Sequence, residues 1–379
     1  MDFDFSQEQK MIREMVRKFV EREVKPKIEE YERAEMFPMP LVKKAAKLGL
    51  LGIIIPEKYG GAGADTISYC IMEEEIAKIS AGLGLIMSAN NSLSCTPILN
   101  HGTGEQKQKY LVPLAKGDKL GCWLLIEPGA GSDVAGIKAT ARLEGNQWVL
   151  NGDKIFVTNG SVADICVGVF RTGPDRHKEL TAFIIESSSP GFKVTRVEEK
   201  MGINCSLTVQ LFFDNCRIPK ENMLGGEGQG FKVAMRTLNG GRVNIAAQSL
   251  GVAKGAFQEA LAYAQNREQF GKKISEFQAI QFMLAEMAIE IEAAELMTYR
   301  AAWLIDRGLP FIKSASMAKA YASEMAERVA SKALQIFGGS GYLKPALVER
   351  FYRDARVLQV YEGTSQIQRM IIFKELLKI

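Results

Sequence analysis

The sequence predicts an α+β protein, mainly α-helical, in which a helical region, a β-rich region and a second helical region follow one another. Apolar residues recur at three- and four-residue spacing in roughly the first hundred residues, short β-rich runs separated by turn signals begin near Leu120, and long amphipathic patterns return after Gly230. The 379 residues are enough for two or three domains with their own cores. We predict domains at 1–118, 119–228 and 229–379.

The N-terminal region is predicted to be helical. Ser6 followed three residues later by Gln9 is typical of a capping box at a helix start. The apolar positions after it have helical spacing: Ile12, Met15, Val16, Phe19, Val20 and Val24. Residues 56–63 are predicted to be a loop, and further helices are predicted over 72–80 and 106–114.

The middle region is predicted to be a β domain. Its candidate strands are 121–126, 140–143, 148–150, 155–158, 165–170, 181–185, 192–194 and 209–213. Gly145-Asn146 and Asn151-Gly152 are typical of hairpin turns, and Pro190-Gly191 marks a further bend. Because no long helical pattern separates these runs, the region favours an antiparallel sandwich or barrel over a parallel sheet with crossover helices.

The C-terminal region is predicted to be a set of long amphipathic helices. They cover roughly 231–266, 276–307, 311–337 and 342–357. A last helix begins with Thr364 or Ser365 as its N-cap, and Ser365 with Gln368 has the spacing of a capping box.

Composition excludes several classes of protein. The net charge of +4 comes from interspersed Lys and Arg, which argues against a protein that binds nucleic acid through phosphate neutralisation. Six scattered cysteines without a CxxC pair indicate free thiols in a reducing compartment rather than disulfides or zinc. Residues 1–9 are acidic and polar, and no run approaches eighteen apolar residues. We therefore expect a cytoplasmic protein without a secretory signal or a membrane span.

Common cofactor and metal motifs are also missing. The glycine clusters 60–63 and 226–230 do not lie between a parallel strand and its helix, which argues against a Rossmann or P-loop site. His101 and His177 are far apart in sequence and have neither metal-site nor catalytic-triad spacing. We expect no metal, and acid–base chemistry is left to carboxylates, Tyr, Lys or Cys.

The stretch 360–369 is the most unusual in the chain. Glu362 stands beside Gly363, just ahead of the last predicted helix. Such a carboxylate often serves only as a partner of the helix dipole, whereas the glycine permits a close approach of a ligand. Two further segments are ambiguous on their own: 129–133 is a turn or a backbone-rich binding loop, and 267–272 is a helix end or a phosphate contact.

Together these segments resemble the acyl-CoA dehydrogenase family, and the resemblance covers essentially the whole chain. The segments that carry it, in family order and spacing, are 126–133, 154–160, 266–271, 335–341 and 361–366. The resemblance implies a helical N-terminal domain, a central antiparallel β domain and a C-terminal four-helix bundle. It also implies FAD bound without a Rossmann fold, and a homotetramer, a dimer of dimers, because the cofactor lies across a subunit interface.

The resemblance assigns roles to individual residues. The FAD contacts that it implies are Trp123, Leu125, Ile126, Gly131, Ser132, Phe156, Thr158, Arg267, Phe270, Gln278, Thr364 and Gln366, with Gln335 and Gly339 from a neighbouring subunit. The substrate contacts that it implies are Ser132, Asn239, Arg242 and Gly363.

The resemblance also implies a mechanism in which Glu362 removes the α-proton of an acyl-CoA thioester and flavin N5 takes the hydride from Cβ. The backbone N–H of Glu362 and a ribityl hydroxyl of the flavin would hold the developing enolate oxygen. We expect helix-terminus electrostatics to keep Glu362 ionised in the resting enzyme, and burial beneath the acyl chain to make it more basic. Some relatives take their base from the residue before the arginine of 240–242, which is Gly241 here.

Three departures from the family pattern affect the flavin and the substrate. Ile126 stands where Thr or Ser is common, Phe156 stands where Trp is common, and Asn204-Cys205 replaces a turn that often contains Arg. Segment 87–93 is most similar to short-chain members. We therefore expect butyryl-like substrates, with a ring-bearing or otherwise modified acyl group as the alternative.

Two other functions remain open. The same site can work as an enoyl-CoA reductase that draws electrons from an electron-transfer flavoprotein, which is also the electron acceptor expected for the dehydrogenase. Some relatives of this fold bind DNA as alkylation-response proteins through a basic C-terminal extension or patch, and the chain ends at Ile379 soon after the Glu362 segment. We expect no nucleic-acid partner and no membrane partner.

Overall fold

The structure is a computed structural model, and it describes residues 4–378. Residues 1–3, which are part of the acidic and polar segment 1–9, and residue 379 lie outside this range. The N-terminal region is helical, as predicted. Its helices are α1 Gln7–Phe19, α2 Ile28–Arg33, α3 Met39–Lys47, α4 Thr66–Ala77, α5 Ala81–Ser88, α6 Thr96–His101, α7 Gly104–Gln106 and α8 Val112–Lys116.

The capping box at the start of α1 is confirmed. The backbone N–H of Gln9 donates to Ser6 Oγ at 3.2 Å, and the Ser6 N–H donates to Gln9 Oε1 at 2.9 Å. The helix predicted over 72–80 corresponds to α4, which begins and ends earlier than predicted. It begins after its N-cap Asp65, and Ser80 is not part of it but is the N-cap of the next helix, α5. π-helical segments extend several helices, so that the helix predicted over 106–114 runs without a break from Gly104 to Lys116.

The middle region forms one eight-stranded sheet. Its strands are β1 Gly121–Leu124, β2 Thr140–Glu144, β3 Gln147–Thr158, β4 Ile165–Arg171, β5 Leu180–Glu186, β6 Phe192–Val197, β7 Thr208–Pro219 and β8 Met223–Leu224. The order is β6-β7-β3-β2-β4-β5-β8, with β1 on β4. The strands pair antiparallel as predicted, except that β1 and β4, and one residue pair of β2 and β4, run parallel.

One of the two predicted hairpin turns in this region is wrong. Gly145-Asn146 does join β2 to β3, with Glu144 paired to Gln147. Asn151-Gly152, in contrast, lies inside β3, where the register against β7 shifts between Leu150 and Gly152. A β-bulge uses the same residue types as a turn, since it also places a glycine at an unusual backbone angle, here φ 128°.

The described part of the C-terminal region contains five α-helices, α9 Gly230–Asn266, α10 Gln278–Asp306, α11 Ile312–Phe337, α12 Leu347–Val357 and α13 Ser365–Leu376. A small hairpin of β9 Glu268–Gln269 and β10 Lys272–Lys273 joins α9 to α10. The helix predicted from 342 begins later, because residues 338–342 form a 3₁₀ turn after Gly338 takes a positive φ of 59°.

The long helix α9 positions the functional residues. Its buried alanines, such as Ala253 and Ala260, share a core with those of α11, such as Ala322 and Ala330. On another side it touches α4, where a Cβ at Gly251 would lie 2.4 Å from the Glu74 carbonyl oxygen. Because Gly251 has no side chain, α9 of the C-terminal region can approach the backbone of α4 in the N-terminal region closely.

Candidate active site

Glu362 lies on the tight turn between α12 and α13. Glu362 and Gly363 both have positive φ, 53° and 91°. Thr364 caps α13 by accepting the backbone N–H of Ile367 at 3.3 Å. Glutamate rarely adopts a positive φ, so the surrounding structure must hold it there.

The predicted capping box of Ser365 and Gln368 is wrong. The Gln368 amide donates instead to the carbonyl oxygens of Gly363 at 2.9 Å and Glu362 at 3.2 Å. These carbonyls belong to the left-handed turn and need donors, which is why Gln368 turns toward them. The contact fixes the backbone of the turn rather than the helix end.

Two buried cations face this turn from the neighbouring helices. Lys319 on α11 donates from Nζ to the Gly363 carbonyl oxygen at 2.8 Å. Arg242 on α9 donates to Asn239 Oδ1, and its charge acts on Glu362. Both cationic side chains are almost completely buried. In the described part of the chain, Glu362 Oε2 is buried without a hydrogen-bond partner.

The protonation of Glu362 is set by burial against these two charges. Burial raises the pKa of Glu362 to about 7, and the charges of Arg242 and Lys319 oppose that rise. We expected helix-terminus electrostatics to keep this carboxyl ionised at rest. Instead burial dominates, and the carboxyl is divided between its two forms near neutral pH. Burial in turn lowers the pKa of Lys319 to about 8.

Gly241 lies directly against Glu362. A Cβ built on Gly241 would stand 3.2 Å from both oxygens of the Glu362 carboxyl group. The neighbouring Gly240 faces open space. The position from which some relatives take their base therefore adjoins Glu362, and the missing side chain leaves the room that the carboxyl group fills.

A second group of predicted residues gathers at the end of β1. The Ile126 carbonyl oxygen accepts the Ile155 N–H at 2.9 Å. Lys154 reaches the Leu125 carbonyl oxygen at 3.3 Å and Glu127 Oε1 at 2.7 Å. These contacts bring the loop after β1 against the part of β3 that carries Phe156 and Thr158.

The surface of this loop suits a planar ligand with hydrogen-bond acceptors. Trp123 is buried, yet its indole N–H has no partner in the described chain. Gly129 and Gly131 face open space, and Phe156, with φ 55°, exposes 62% of its surface. Buried indole N–H groups ordinarily have partners, and a group bound against this open loop would supply one for Trp123. The residues present fit a flavin.

The remaining predicted cofactor contacts lie at the ends of the long helices. Arg267, Phe270 and Gln278 surround the β9–β10 hairpin, and Phe270 is 94% exposed with φ 54°. Gln335 and Gly339 are exposed at the end of α11. Among the described residues, no hydrogen bond or ion pair joins these five residues to Glu362.

Sequence reasoning missed three polar residues that shape the site. Lys154 and Glu127 are buried together, and Glu127 also accepts backbone N–H groups of Lys138 at 2.6 Å and Ala139 at 3.1 Å. Lys319 supports the Glu362 turn. A charged residue within an otherwise apolar strand or helix pattern indicates a buried charge that needs a partner. The partners of these residues could not be predicted, because they lie far away in sequence.

Metal-binding groups, membrane-spanning helices and cysteine pairing also help to define the class of protein. In residues 4–378 no group of three or more His, Cys, Asp or Glu side chains is arranged to hold a metal ion. No helix within that range is long and apolar enough to cross a membrane. The six cysteines are buried and unpaired.

Comparison with known proteins agrees with the arrangement. Family models for the acyl-CoA dehydrogenase N-terminal, middle and C-terminal domains match residues 6–118, 122–216 and 228–377. The chain is 48% identical over 373 residues to the short-chain specific acyl-CoA dehydrogenase of Clostridium acetobutylicum, covering 98% of each.

Solved structures show the same similarity. Butyryl-CoA dehydrogenase from Megasphaera elsdenii has a TM-score of 0.98 and 43% identity, with 100% of both chains covered. A chain solved in work on the electron transferring flavoprotein of Acidaminococcus fermentans and flavin-based electron bifurcation has a TM-score of 0.99 and 46% identity, again with 100% coverage of both. These matches confirm the predicted order of a helical domain, a β domain and C-terminal helices.

Proposed function

The chain belongs to the acyl-CoA dehydrogenase family, and from this premise we propose that it converts a short-chain acyl-CoA thioester to the 2-enoyl-CoA with FAD. Glu362 is the proposed base. The observation that carries the proposal is the Glu362 turn: a carboxyl with an unpartnered oxygen, held at a positive φ between two buried cations. A partner for a helix dipole needs none of these features.

The reaction requires the removal of the α-proton of the thioester, which is only weakly acidic. When bound, FAD supplies the acceptor for the hydride that leaves Cβ. Ionised Glu362 takes the α-proton, and its own backbone N–H is the proposed donor to the thioester oxygen, where negative charge develops. With a pKa of about 7, Glu362 is basic enough to accept the proton and still ionised in a substantial fraction at neutral pH.

The residues that would hold FAD form two groups. The first is the loop after β1 with its neighbours on β3: Trp123, Leu125, Ile126, Gly131, Ser132, Phe156 and Thr158. The second is made of residues at the helix ends: Arg267, Phe270, Gln278, Thr364 and Gln366, with Gln335 and Gly339 from a second copy of the chain. The exposure of Phe270 and Gly339 is consistent with a site completed by another subunit.

The acyl-CoA is proposed to contact Ser132, Asn239, Arg242 and Gly363. Two of these, Asn239 and Arg242, are hydrogen-bonded to each other beside Glu362, and Gly363 is its neighbour in the turn. The short-chain preference rests on the named specificity of the Clostridium acetobutylicum relative and on the butyryl-CoA dehydrogenase structure.

The direct test is a panel of acyl-CoA thioesters added to the purified protein without oxygen. We expect the protein to carry FAD that acid or heat releases, and butyryl-CoA to bleach its visible absorption fastest. A colourless protein that FAD cannot reconstitute contradicts the cofactor assignment. Higher kcat/KM with octanoyl- or palmitoyl-CoA contradicts the chain-length assignment alone.

An electron-transfer flavoprotein is the proposed redox partner. Support comes from the A. fermentans comparison, which belongs to work on such a flavoprotein. The same site can also run toward the saturated acyl-CoA as an enoyl-CoA reductase. The rates of acyl-CoA oxidation with oxidised electron-transfer flavoprotein and of enoyl-CoA reduction with its reduced form distinguish a dehydrogenase from a reductase. We expect the physiological direction to be the faster one at cellular ratios of enoyl-CoA to acyl-CoA.

A further inference from the structure

Glu73 on α4 is a buried carboxyl group that the mechanism does not use. Its side chain is completely buried, neither oxygen has a partner with hydrogen-bond geometry in the described chain, and the Asn244 amide is the polar group that acts on it. The next two glutamates of the same helix are paired: Glu74 lies 3.0 Å from Lys254, and Glu75 lies 3.0 Å from Arg17. Among the described residues, Glu73 alone of the three has no ion-pair partner.

Gly84 on α5 makes the room for this carboxyl group. A Cβ at Gly84 would lie 2.2 Å from Glu73 Oε1 and 3.1 Å from the carboxyl carbon. The Glu73 carboxyl group therefore occupies the position that a side chain at residue 84 would take. The same Cβ would lie 3.5 Å from Gln248 Nε2 on α9, so Glu73 stands between α5 and α9.

One face of α9 joins this place to the proposed base. Gly241 touches Glu362, and Asn244 and Gln248 follow on the same face at helical spacing. Asn244 donates to Ser88 Oγ at 2.8 Å, but its Oδ1 has no partner in the described chain. Gln248 accepts the hydroxyl of Tyr361, the neighbour of Glu362. From Gly241 to Gln248 the helix rises about 10 Å, so Glu73 lies within a short acyl chain's reach of Glu362.

The polar atoms along this face can form hydrogen bonds with a ligand. Burial raises the pKa of Glu73 to about 8, so the group is mostly a neutral carboxylic acid at pH 7. A carboxylic acid has one donor and one free acceptor, the complement of an alcohol. Buried polar atoms without partners are unfavourable unless a ligand or water satisfies them.

We propose that Glu73 is a specificity-determining residue at the inner end of the acyl pocket, and that it selects an acyl group bearing a hydroxyl a few carbons beyond Cβ. This inference rests on the proposed dehydrogenase function, because Glu362 fixes where the reacting carbons lie. A purely alkyl chain of the same length adds no partner for Glu73 or Asn244 Oδ1, whereas a hydroxyl can bond to both.

The test compares hexanoyl-CoA with 6-hydroxyhexanoyl-CoA in the FAD-loaded enzyme. We expect the hydroxylated thioester to have a kcat/KM about tenfold higher or more in the wild type. Glu73→Met, similar in length but apolar, should reverse the preference by raising kcat/KM for hexanoyl-CoA. Glu73→Gln keeps a donor and an acceptor and should retain it. Glu75→Gln is the matched control, because it removes a carboxylate from the same helix at a paired position.

Gly84→Ala provides an independent variant. Its methyl group displaces the Glu73 carboxyl, so the preference for the hydroxyl should fall although Glu73 is still present. FAD content and the melting temperature identify a variant that fails to fold, and if Glu73→Met does so, Gly84→Ala carries the comparison. Equal kcat/KM for the two thioesters in the wild type overturns the inference, as does an unchanged preference in Glu73→Met. Failure of every thioester, butyryl-CoA included, counts against the proposed function instead.

Discussion

The Glu362 carboxyl group is held between opposing electrostatic influences. Burial favours its protonated form, while Arg242 and Lys319 favour the ionised form. Near neutral pH the result is a base that is both available and strong enough to take a proton from carbon. A carboxylate in water would be ionised but weak, and a carboxyl buried without cations would remain protonated.

The charge on Lys319 is predicted to set the pH dependence of the reaction. The rate of flavin reduction should rise with pH through the pKa of Glu362, about 7, because only the ionised form accepts a proton. Lys319→Met removes a positive charge, raises the pKa of Glu362 and should move this rise to higher pH by about one unit or more. Lys319→Arg keeps the charge and should leave it near the wild-type position. An unchanged profile in Lys319→Met would show that the lysine only supports the backbone.

The contact between Gly241 and Glu362 predicts opposite outcomes for two adjacent glycines. Gly241→Ala puts a methyl group 3.2 Å from the carboxyl oxygens, and the carboxyl must move to relieve the contact. A base displaced by a fraction of an ångström should reduce flavin reduction by about ten- to a hundredfold. Gly240→Ala points to open space and should keep nearly wild-type rates. Equal rates in the two variants would mean that Glu362 need not occupy this position.

Local motifs made Glu362 predictable, and distance in sequence hid its supports. The Glu362-Gly363 pair, the motif around it and the start of the helix after it all lie within ten residues. Lys319 is 44 residues from the glycine that it contacts, and no spacing in the sequence connects the two. The same reason kept Lys154 and Glu127, 27 residues apart, from being recognised as a pair.

Strand β3 shows how a single element adapts the sheet to the site. The bulge at Gly152 and a second register shift between Lys154 and Val157 let one twelve-residue strand serve both the β2 hairpin and the loop after β1. Bulges bend a strand and redirect its side chains. The shift between Lys154 and Val157 includes Phe156, whose positive φ leaves its ring at the surface.

Gly152→Ala is predicted to destabilise the β domain. The position has φ 128°, and the added methyl group would lie 2.8 Å from Ala139 Cα. Strain of this kind costs about 1–3 kcal/mol. Gly104→Ala is the control, since it has an ordinary φ, faces open space and should change the unfolding free energy by less than about 1 kcal/mol. Urea unfolding followed by circular dichroism measures both, and equal stability of the two variants contradicts the account of the bulge.

Periodicity predicted the helices well and the strands less well. Four of the long C-terminal helices begin or end within a few residues of their predicted limits, because an amphipathic pattern extends over many turns. Asn151-Gly152 has the composition of a hairpin turn, and a β-bulge uses the same residue types. Only pairing with β7, about 60 residues later in the sequence, distinguishes the two.

The outer surface of the C-terminal helices indicates association between copies of the chain. Phe282, Ile289, Leu296 and Trp303 stand seven residues apart on α10 and are all exposed. Exposed apolar side chains also recur on α13, including Phe373 and Leu376. An apolar stripe on a long helix is typical of an interface between subunits. We propose that it contributes to the homotetramer in which Gln335 and Gly339 reach a neighbour's cofactor.

Leu296→Lys is predicted to weaken this association. The leucine is 47% exposed, and a charge placed there would have to be buried in the interface. Leu143→Lys on β2, where the leucine is 44% exposed, is the matched control. Light scattering should show a tetramer for the wild type and the control, and smaller species with reduced FAD content for Leu296→Lys. A monomeric wild type that keeps one FAD per chain would rule out the shared site.

The fold as a whole was predictable because three independent patterns agreed on the order of domains. The composition of the site was not, since residues from the N-terminal, middle and C-terminal regions meet only in the folded chain. Glu73 illustrates the difference: within the run Glu73-Glu74-Glu75 it resembles a solvated face, and only its contact with Gly84 distinguishes it from its paired neighbours.

Glu362 as the base is the central assignment for this enzyme, and Glu362→Gln tests it most directly. Glutamine is nearly isosteric, so folding, FAD content and acyl-CoA binding should persist, and a melting curve on the same sample checks this. Rapid mixing with butyryl-CoA should show flavin reduction slowed by about 10²–10⁴-fold or more. If the carboxyl served only the helix dipole, its loss would change stability by about 0.3–1 kcal/mol and leave reduction almost intact. Near wild-type bleaching in Glu362→Gln would therefore contradict the assignment.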